Sequence, residues 1–328
     1  MQEEIQMITL SNGHIFKYMA ASGALAYNGK GWPWEWILRW FGFLKPELFT
    51  VVTKTLTLNP RYGNFCWWNP LTWLPGSPLS CLGFVPGGTV NKVGLTNLGI
   101  RWWCRNVGSR TDSNKIPLVV SIYADFGNEN ELVRMAEMLN DGKYDVVGIE
   151  VNTSCPNTGH TQQKTDAVVA AVTAVKRATR HPVIVKVSVV QDYLEIARRL
   201  KGVAEAISLN SVPWELVFPG KRTPLWLLEK RVGGGGGGVS GKPARELNWK
   251  AVDELCRLGA LPVIAPSVTD FDSVQYMWEL GAGAIGFGSI FLRTPWRPTA
   301  IVKKEMALLS QNPYAGDPYG FDHASHAG

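Results

Sequence analysis

Residues 144–149 (Tyr-Asp-Val-Val-Gly-Ile) turn abruptly polar in the run Glu150-Val151-Asn152-Thr153-Ser154-Cys155-Pro156-Asn157-Thr158-Gly159. A strand apolar at consecutive positions must be covered on both faces, the condition of a parallel sheet in an α/β fold. The polar run then follows the C-terminal end of a strand, where such folds place their chemistry. It gathers two amides, hydroxyls and a thiol on one short loop stiffened by Pro156. A thiol there can act as a nucleophile or a base, and the amides can hold the carbonyl and N–H groups of a planar ligand. The alternative is a loop with a buried structural cysteine.

The same alternation recurs along the chain. Strands are expected at 14–20, 49–56, 117–123, 183–187, 204–209, 262–265 and 284–288, and helices at 129–140, 166–180, 191–201 and 298–309. Lys54 interrupts the second strand at its expected top, and Lys186 breaks the apolar strand Val-Ile-Val-Lys-Val. A lysine inside a buried strand is costly unless something negative faces it, so Lys186 is expected to serve a function. Residues 233–238 are six consecutive glycines, followed by Val239-Ser240-Gly241-Lys242-Pro243. Glycine lets backbone N–H groups wrap a phosphate, but six exceed what such a nest needs, so part of the run is expected to be a mobile loop.

Two aromatic stretches stand out. Residues 32–44 hold Trp32, Trp34, Trp36, Trp40, Phe41 and Phe43, with Pro33 suited to a helix start. Trp36, Trp40 and Leu44 recur at helical spacing, and Ile37 with Phe41 forms a second row, so this helix is expected to pack on the body of the protein or on a subunit. The other reading is a surface facing a partner or a quinone. Residues 65–117 are long for one connection, and Trp67, Trp68, Trp73, Trp102 and Trp103 argue that the segment is ordered.

Composition narrows the function. The 328 residues are 45% hydrophobic, enough to bury a large core, and a barrel of this size forms one domain, here expected over 1–328 with a frayed tail from about 311. The five cysteines contain no CxxC pair, which argues against a zinc or iron–sulfur site within the chain. With no apolar run suited to a secretion signal or anchor, a cytoplasmic location is expected. The net charge of +6 is spread along the chain, giving nucleic-acid binding little support.

Asn152-x-Ser154-Cys155-Pro156-Asn157 resembles the active-site loop of class 1 dihydroorotate dehydrogenases, flavin (FMN) enzymes built on a (β/α)8 TIM barrel. The string Thr53-Lys54-Thr55-x-Thr57-x-x-Pro60-Arg61-x-Gly63-Asn64 resembles the same family, as does Asn91-x-x-Gly94-Leu95-x-Asn97, with Lys92 where serine is common. The resemblance covers roughly 14–310 and implies an α/β TIM barrel with the Trp-rich insertion over the C-terminal face of its strands.

It also implies roles. Cys155 would be the catalytic base. Lys54, Asn91, Gly94, Leu95, Asn152, Asn157, Asn210 and Ser211 would bind substrate. FMN would lie against Ala21, Ser22, Gly23, Lys54, Asn152 and Lys186, with its phosphate near Gly238, Ser240, Ser267, Gly288 and Ser289. One departure concerns the seventh strand: the family's Gly-Gly is replaced by Pro266-Ser267, and proline offers no N–H. The implied activity is FMN-dependent oxidation of dihydroorotate to orotate in pyrimidine biosynthesis. A related dihydropyrimidine (dihydrouracil) dehydrogenase, or a barrel that binds ligand after losing FMN, are the rival readings; Asn157, where dihydropyrimidine dehydrogenases carry histidine, speaks against the first. The electron acceptor stays open among fumarate, quinone and NAD, the last requiring an iron–sulfur/flavin partner subunit. A homodimer is a further expectation.

Overall fold

The computed structural model describes residues 7–66, 68–125, 127–153 and 164–310. Eight parallel strands close into a barrel in chain order: β1 (Tyr18–Ala20), β2 (Thr50–Val52), β3 (Leu118–Ile122), β4 (Gly148–Asn152), β5 (Val183–Val187), β6 (Ala206–Leu209), β7 (Val263–Ala265) and β8 (Ala284–Phe287). The expected TIM barrel is therefore the fold. Helices Glu129–Asp141, Thr165–Ala178, Tyr193–Arg199, Arg245–Leu258, Phe271–Glu279 and Arg297–Ser310 connect or flank the strands, each burying an apolar stripe.

Side chains alternate in and out along each strand. Outward residues such as Val51, Val120, Val151, Val185, Leu209 and Phe287 pack under the helices in the main core. Inward residues Met19, Val52, Val119, Ile184, Ala206, Ile264 and Ala284 fill the lower barrel, where they meet Ile8, Leu10 and Phe16. Those three come from the antiparallel pair Ile8–Thr9 and Ile15–Phe16, which plugs the barrel's N-terminal end. Two positions higher the inward residues become polar: Ser121, Glu150, Lys186 and Ser208, all buried.

Three expectations change here. The strand drawn at 144–149 runs instead through Gly148–Asn152, so Glu150 lies inside the barrel and not in the loop after it. The segment 14–20 divides into Ile15–Phe16 and β1, because it must both plug the barrel and enter its wall. The aromatic stretch forms only a 3₁₀ turn, Pro33–Glu35, and one helical turn, Trp36–Trp40, ended at Gly42. A single turn cannot hold Trp36, Trp40 and Leu44 on one face. Leu44 is buried and Leu38 packs on the core, while Trp36, Ile37, Trp40, Phe41 and Phe43 are exposed, Trp40 by 85%. Among the described residues these aromatics do not pack on the barrel.

The insertion over 65–117 is ordered where described. Its hairpin Leu82–Val85 and Gly88–Asn91 joins Gly238–Gly241 and Val212–Pro213 in a second, antiparallel sheet. This sheet has its own apolar cluster around Val90, Trp214, Leu225 and Val239. It carries Asn91 and Ser240 toward the C-terminal mouth of the barrel.

Candidate active site

A cavity of about 250 Å³ opens at that mouth. Its inner wall is the polar layer's upper edge: Ala21, Ser22 and Gly23 after β1, Lys54 and Thr55 after β2, Asn152 at the end of β4, Lys186 on β5, and Asn210 and Ser211 after β6. Asn91, Val93 and Leu95 close it from the second sheet side. Ser240, Gly241, Ser267, Gly288 and Ser289 line it as well, the last three in the loops after β7 and β8 where barrels hold phosphates.

Of the residues expected to form a site, Gly94 and Gly238 do not reach this wall. Gly94 supplies a left-handed turn (φ 69°) that presents Val93 and Leu95. Gly238 is buried in the second sheet opposite Asn91, whose amide donates to the Gly238 carbonyl at 3.3 Å. Cys155 and Asn157 lie outside the described residues, as does the segment from 311. The root of the Cys155 loop is firmly held: the Thr153 hydroxyl and N–H both donate to the Lys186 carbonyl, at 2.9 and 3.0 Å.

Two of the amides are linked: Asn210 Nδ2 donates to Asn152 Oδ1 at 3.4 Å, and the Ser211 N–H donates to Asn210 Oδ1 at 2.9 Å. Lys186 does not wait for a ligand to supply its counter-charge: its Nζ lies 3.6 Å from Glu150 Oε1, both side chains being nearly inaccessible. The negative group expected to face Lys186 is thus supplied by the chain itself, through Glu150.

The Pro266-Ser267 departure has a structural account. Ser267 adopts the left-handed conformation (φ 63°) that glycine usually supplies. Its hydroxyl accepts from Asn248 Nδ2 at 2.9 Å, its carbonyl accepts from Arg245 Nε at 3.2 Å, and Trp249 Nε1 donates to the Pro266 carbonyl at 3.2 Å. Arg245 is itself fixed by Thr269, Asp270 and Ser273. Ser267 is thus held by side-chain hydrogen bonds in a left-handed conformation that is open to glycine without strain.

The six glycines are not a loose linker. Lys92 is buried, and its ammonium donates to the carbonyls of Gly233 and Gly235. Gly233, Gly234, Gly235 and Gly237 have φ of 69°, 74°, 76° and 100°, all positive. A Cβ at Gly236 would strike the Trp214 ring at 2.6 Å. Burial lowers the proton affinity of the Lys92 amine, and the nearby Glu229 and Glu215 carboxylates oppose that shift.

Several wall residues were given no site role from the sequence: Thr55, Asn248, Trp32, Trp34 and Phe65. The aromatics form a continuous stack, Trp32 on Trp34 at 5.4 Å and Trp34 on Trp73 at 5.3 Å, with Trp32 Nε1 donating to the Gly23 carbonyl at 3.1 Å. Their density in the sequence was visible; their position beside Gly23 was not. Glu150 carried a readable signal, since a carboxylate in an apolar strand poses the same problem as Lys186.

Glu35 supports the aromatic wall. Its Oε2 accepts the Trp32 N–H at 2.7 Å, and among the described residues Oε1 has no partner and no cation pairs with it. Burial pushes its carboxyl up to about 7. The folded protein therefore holds a proton that an unfolded chain releases near pH ~4.3. Between these values the folded state binds more protons, so stability falls as pH rises, by up to about 3 kcal/mol. Glu35→Gln should match the parent's unfolding temperature at pH 5 and exceed it at pH 8. An identical difference at both pH values would show that the carboxyl does not titrate in this window.

The sequence profile of the dihydroorotate dehydrogenase family matches residues 42–307. The chain belongs to the dihydroorotate dehydrogenase family. It is 32% identical to the catalytic subunit of dihydroorotate dehydrogenase B (NAD(+)) of Desulforudis audaxviator, over 77% of this chain and 78% of that relative. The corresponding subunit of Geobacter sulfurreducens is 29% identical over 94% of this chain and 93% of that one. A putative dihydroorotate dehydrogenase A (fumarate) of Solibacter usitatus is 30% identical over 66% of this chain and 71% of its own length. A crystal structure of dihydroorotate dehydrogenase from Eimeria tenella, in complex with ferulenol, superposes with a TM-score of 0.67 over 94% of this chain and 86% of that one. At 16% identity that likeness concerns the fold. Members of the family oxidise dihydroorotate in pyrimidine biosynthesis and are generally FMN-dependent. Among the described residues no helix is long and apolar enough to cross a membrane, and no three His, Cys, Asp or Glu cluster as metal ligands.

Proposed function

We propose that this chain oxidises (S)-dihydroorotate to orotate with FMN as its redox cofactor. The observation that carries the reading is one cavity whose wall combines the amides of Asn91, Asn152 and Asn210 with a donor-rich rim at Ser267, Gly288 and Ser289. The backbone N–H groups of those three rim residues make no turn or loop hydrogen bond among the described residues, which suits a phosphate. Asn248 Oδ1 is buried on the same wall without a partner among the described residues, an acceptor that suits a ribityl hydroxyl. The residues present thus fit FMN.

When bound, FMN would supply the two-electron acceptor for the hydride at the substrate's C6. The chain's own groups do the rest. Asn91, Asn152, Asn157 and Asn210, with Ser211, would hold the pyrimidine ring and its carboxylate, and Lys54 would balance negative charge on the substrate. Cys155, as thiolate, would take the proton from C5. Trp32, Trp34 and Phe65 form an apolar wall that limits water at the site.

The whole chain would work as one barrel domain. The names of the bacterial relatives support a separate subunit that passes electrons onward to NAD. The exposed Trp36, Trp40 and Phe43 are consistent with assembly, whether with that subunit or as a homodimer. A cytoplasmic location accords with the four described cysteines, none of them in a disulfide.

The test is the visible spectrum of the purified protein. It should show bound flavin that bleaches when dihydroorotate is added without oxygen. Failure to retain or take up FMN, or bleaching by dihydrouracil in preference to dihydroorotate, would overturn the reading.

A further inference from the structure

The buried pair Lys186–Glu150 is not explained by ligand binding alone. Removing two charges from water is costly, and a carboxylate beneath the lysine cancels part of the charge the lysine would offer. The carboxylate is nevertheless built in with care. Ser121 Oγ donates to Glu150 Oε1 at 2.8 Å and Ser208 Oγ lies 3.4 Å from Oε2. Ser121 is the register partner of Glu150 across β3 and β4, and Ser208 that of Lys186 across β5 and β6, so all four project into one layer of the barrel.

From this layer a line of hydroxyls climbs to the cavity. Ser121 Oγ is 2.9 Å from Thr55 Oγ1, which is 2.9 Å from Ser22 Oγ, and both Thr55 and Ser22 line the cavity. An ionised carboxylate only accepts, so Ser121 must spend its proton on Glu150. Thr55 can then donate to Ser121, and Ser22 to Thr55 or to the Thr53 carbonyl at 2.9 Å. The carboxylate orders the hydroxyl line and leaves oxygen lone pairs at its upper end.

We infer that Glu150 is a positioning residue that sets the effective charge of Lys186 at the cavity, and thereby the reduction potential of the bound cofactor. This rests on the proposed FMN reading with Lys186 beside the isoalloxazine ring. Lys186 favours the reduced, more negative form; Glu150 opposes it. The pair holds the potential between two extremes that either charge alone would impose.

The experiment is a redox titration of FMN-loaded parent, Lys186→Met, Glu150→Gln and the double variant. Glu150→Gln should favour the reduced form about tenfold, a rise of about 30 mV for a two-electron couple. Lys186→Met should lower the potential, and the double variant should return near the parent. Ser208→Ala strips a donor from the carboxylate and should shift the potential downward, opposite to Glu150→Gln; it serves if Glu150→Gln does not fold. Without FMN, Lys186→Met should unfold at a lower temperature than the double variant, because it alone leaves a buried unpaired carboxylate.

A potential unchanged by Glu150→Gln, or by Ser208→Ala where that variant stands in, together with a lowered potential in Lys186→Met would overturn the role of Glu150 and leave the FMN reading intact. Unchanged potentials in both would overturn the placement of Lys186 beside the ring. A parent that takes up no FMN would overturn the functional reading itself, and this inference with it.

Discussion

Cys155→Ala should slow flavin reduction by dihydroorotate by about 10²–10⁴-fold, the usual contribution of a positioned proton acceptor, while FMN stays bound. The loop root at Asn152 and Thr153 is fixed by backbone and side-chain hydrogen bonds that do not involve the thiol, so the cavity should survive the substitution. Cys81, next to the wall residue Leu82, offers no rescue. Cys81 is buried, and that burial pushes it up to about 12 despite the opposing charge of Lys54, so it stays protonated across the working range. In the parent the rate should rise with pH through the alkaline range, since a free thiol titrates near ~8.5. The variant should lose that pH dependence. Single-turnover reduction followed by flavin absorbance measures both quantities. Near-parent reduction in Cys155→Ala would remove the thiol from the mechanism.

Lys92→Met should destabilise the protein by about 3 kcal/mol, counting two charge-assisted hydrogen bonds at about 1.5 kcal/mol each. Methionine keeps most of the side-chain volume, so the loss reports the ammonium and not a cavity. The carbonyls released at Gly233 and Gly235 belong to a segment whose positive φ values have little intrinsic preference to persist. Trypsin should therefore cut faster after Lys230 and Arg231, which precede the segment, and the unfolding temperature should fall by a few degrees. Because residues 233–237 lead into Gly238–Gly241, the strand that carries Ser240, FMN should also bind less tightly. Unchanged protection from trypsin with unchanged stability would show that Lys92 does not anchor the glycines.

How far the chain could be read without its structure differs from element to element. Val183–Val187 was legible residue for residue, because a parallel strand covered on both faces is written as an unbroken apolar run. Lys186 was legible as anomalous for the same reason. The alternation of strands and helices followed from periodicity, and the closed barrel with its mouth from the resemblance carried by short motifs at strand ends. Those are local properties, and each is present within a dozen residues of sequence.

Tertiary structure decided which anomalies answer one another. Lys186 meets Glu150 because β5 pairs with β4 in one register, and a shift by one residue would have turned either side chain outward. Lys92 meets carbonyls 141 and 143 residues away because the hairpin 82–91 lies beside 238–241 in the second sheet. Six glycines read as slack because nothing local marks their carbonyls as a cage. Ser267 could take a glycine's conformation because Arg245 and Asn248, in the first turn of the preceding helix Arg245–Leu258, hold its carbonyl and hydroxyl. The aromatic rows at 36–41 faced outward because the helix stops after one turn, a length set by Gly42 and by the burial of Leu38 and Leu44. Propensity and periodicity act along the chain. Counter-charges, carbonyl cages and the exposed face of a short helix depend on which distant segments become neighbours, and only the closed barrel determines that.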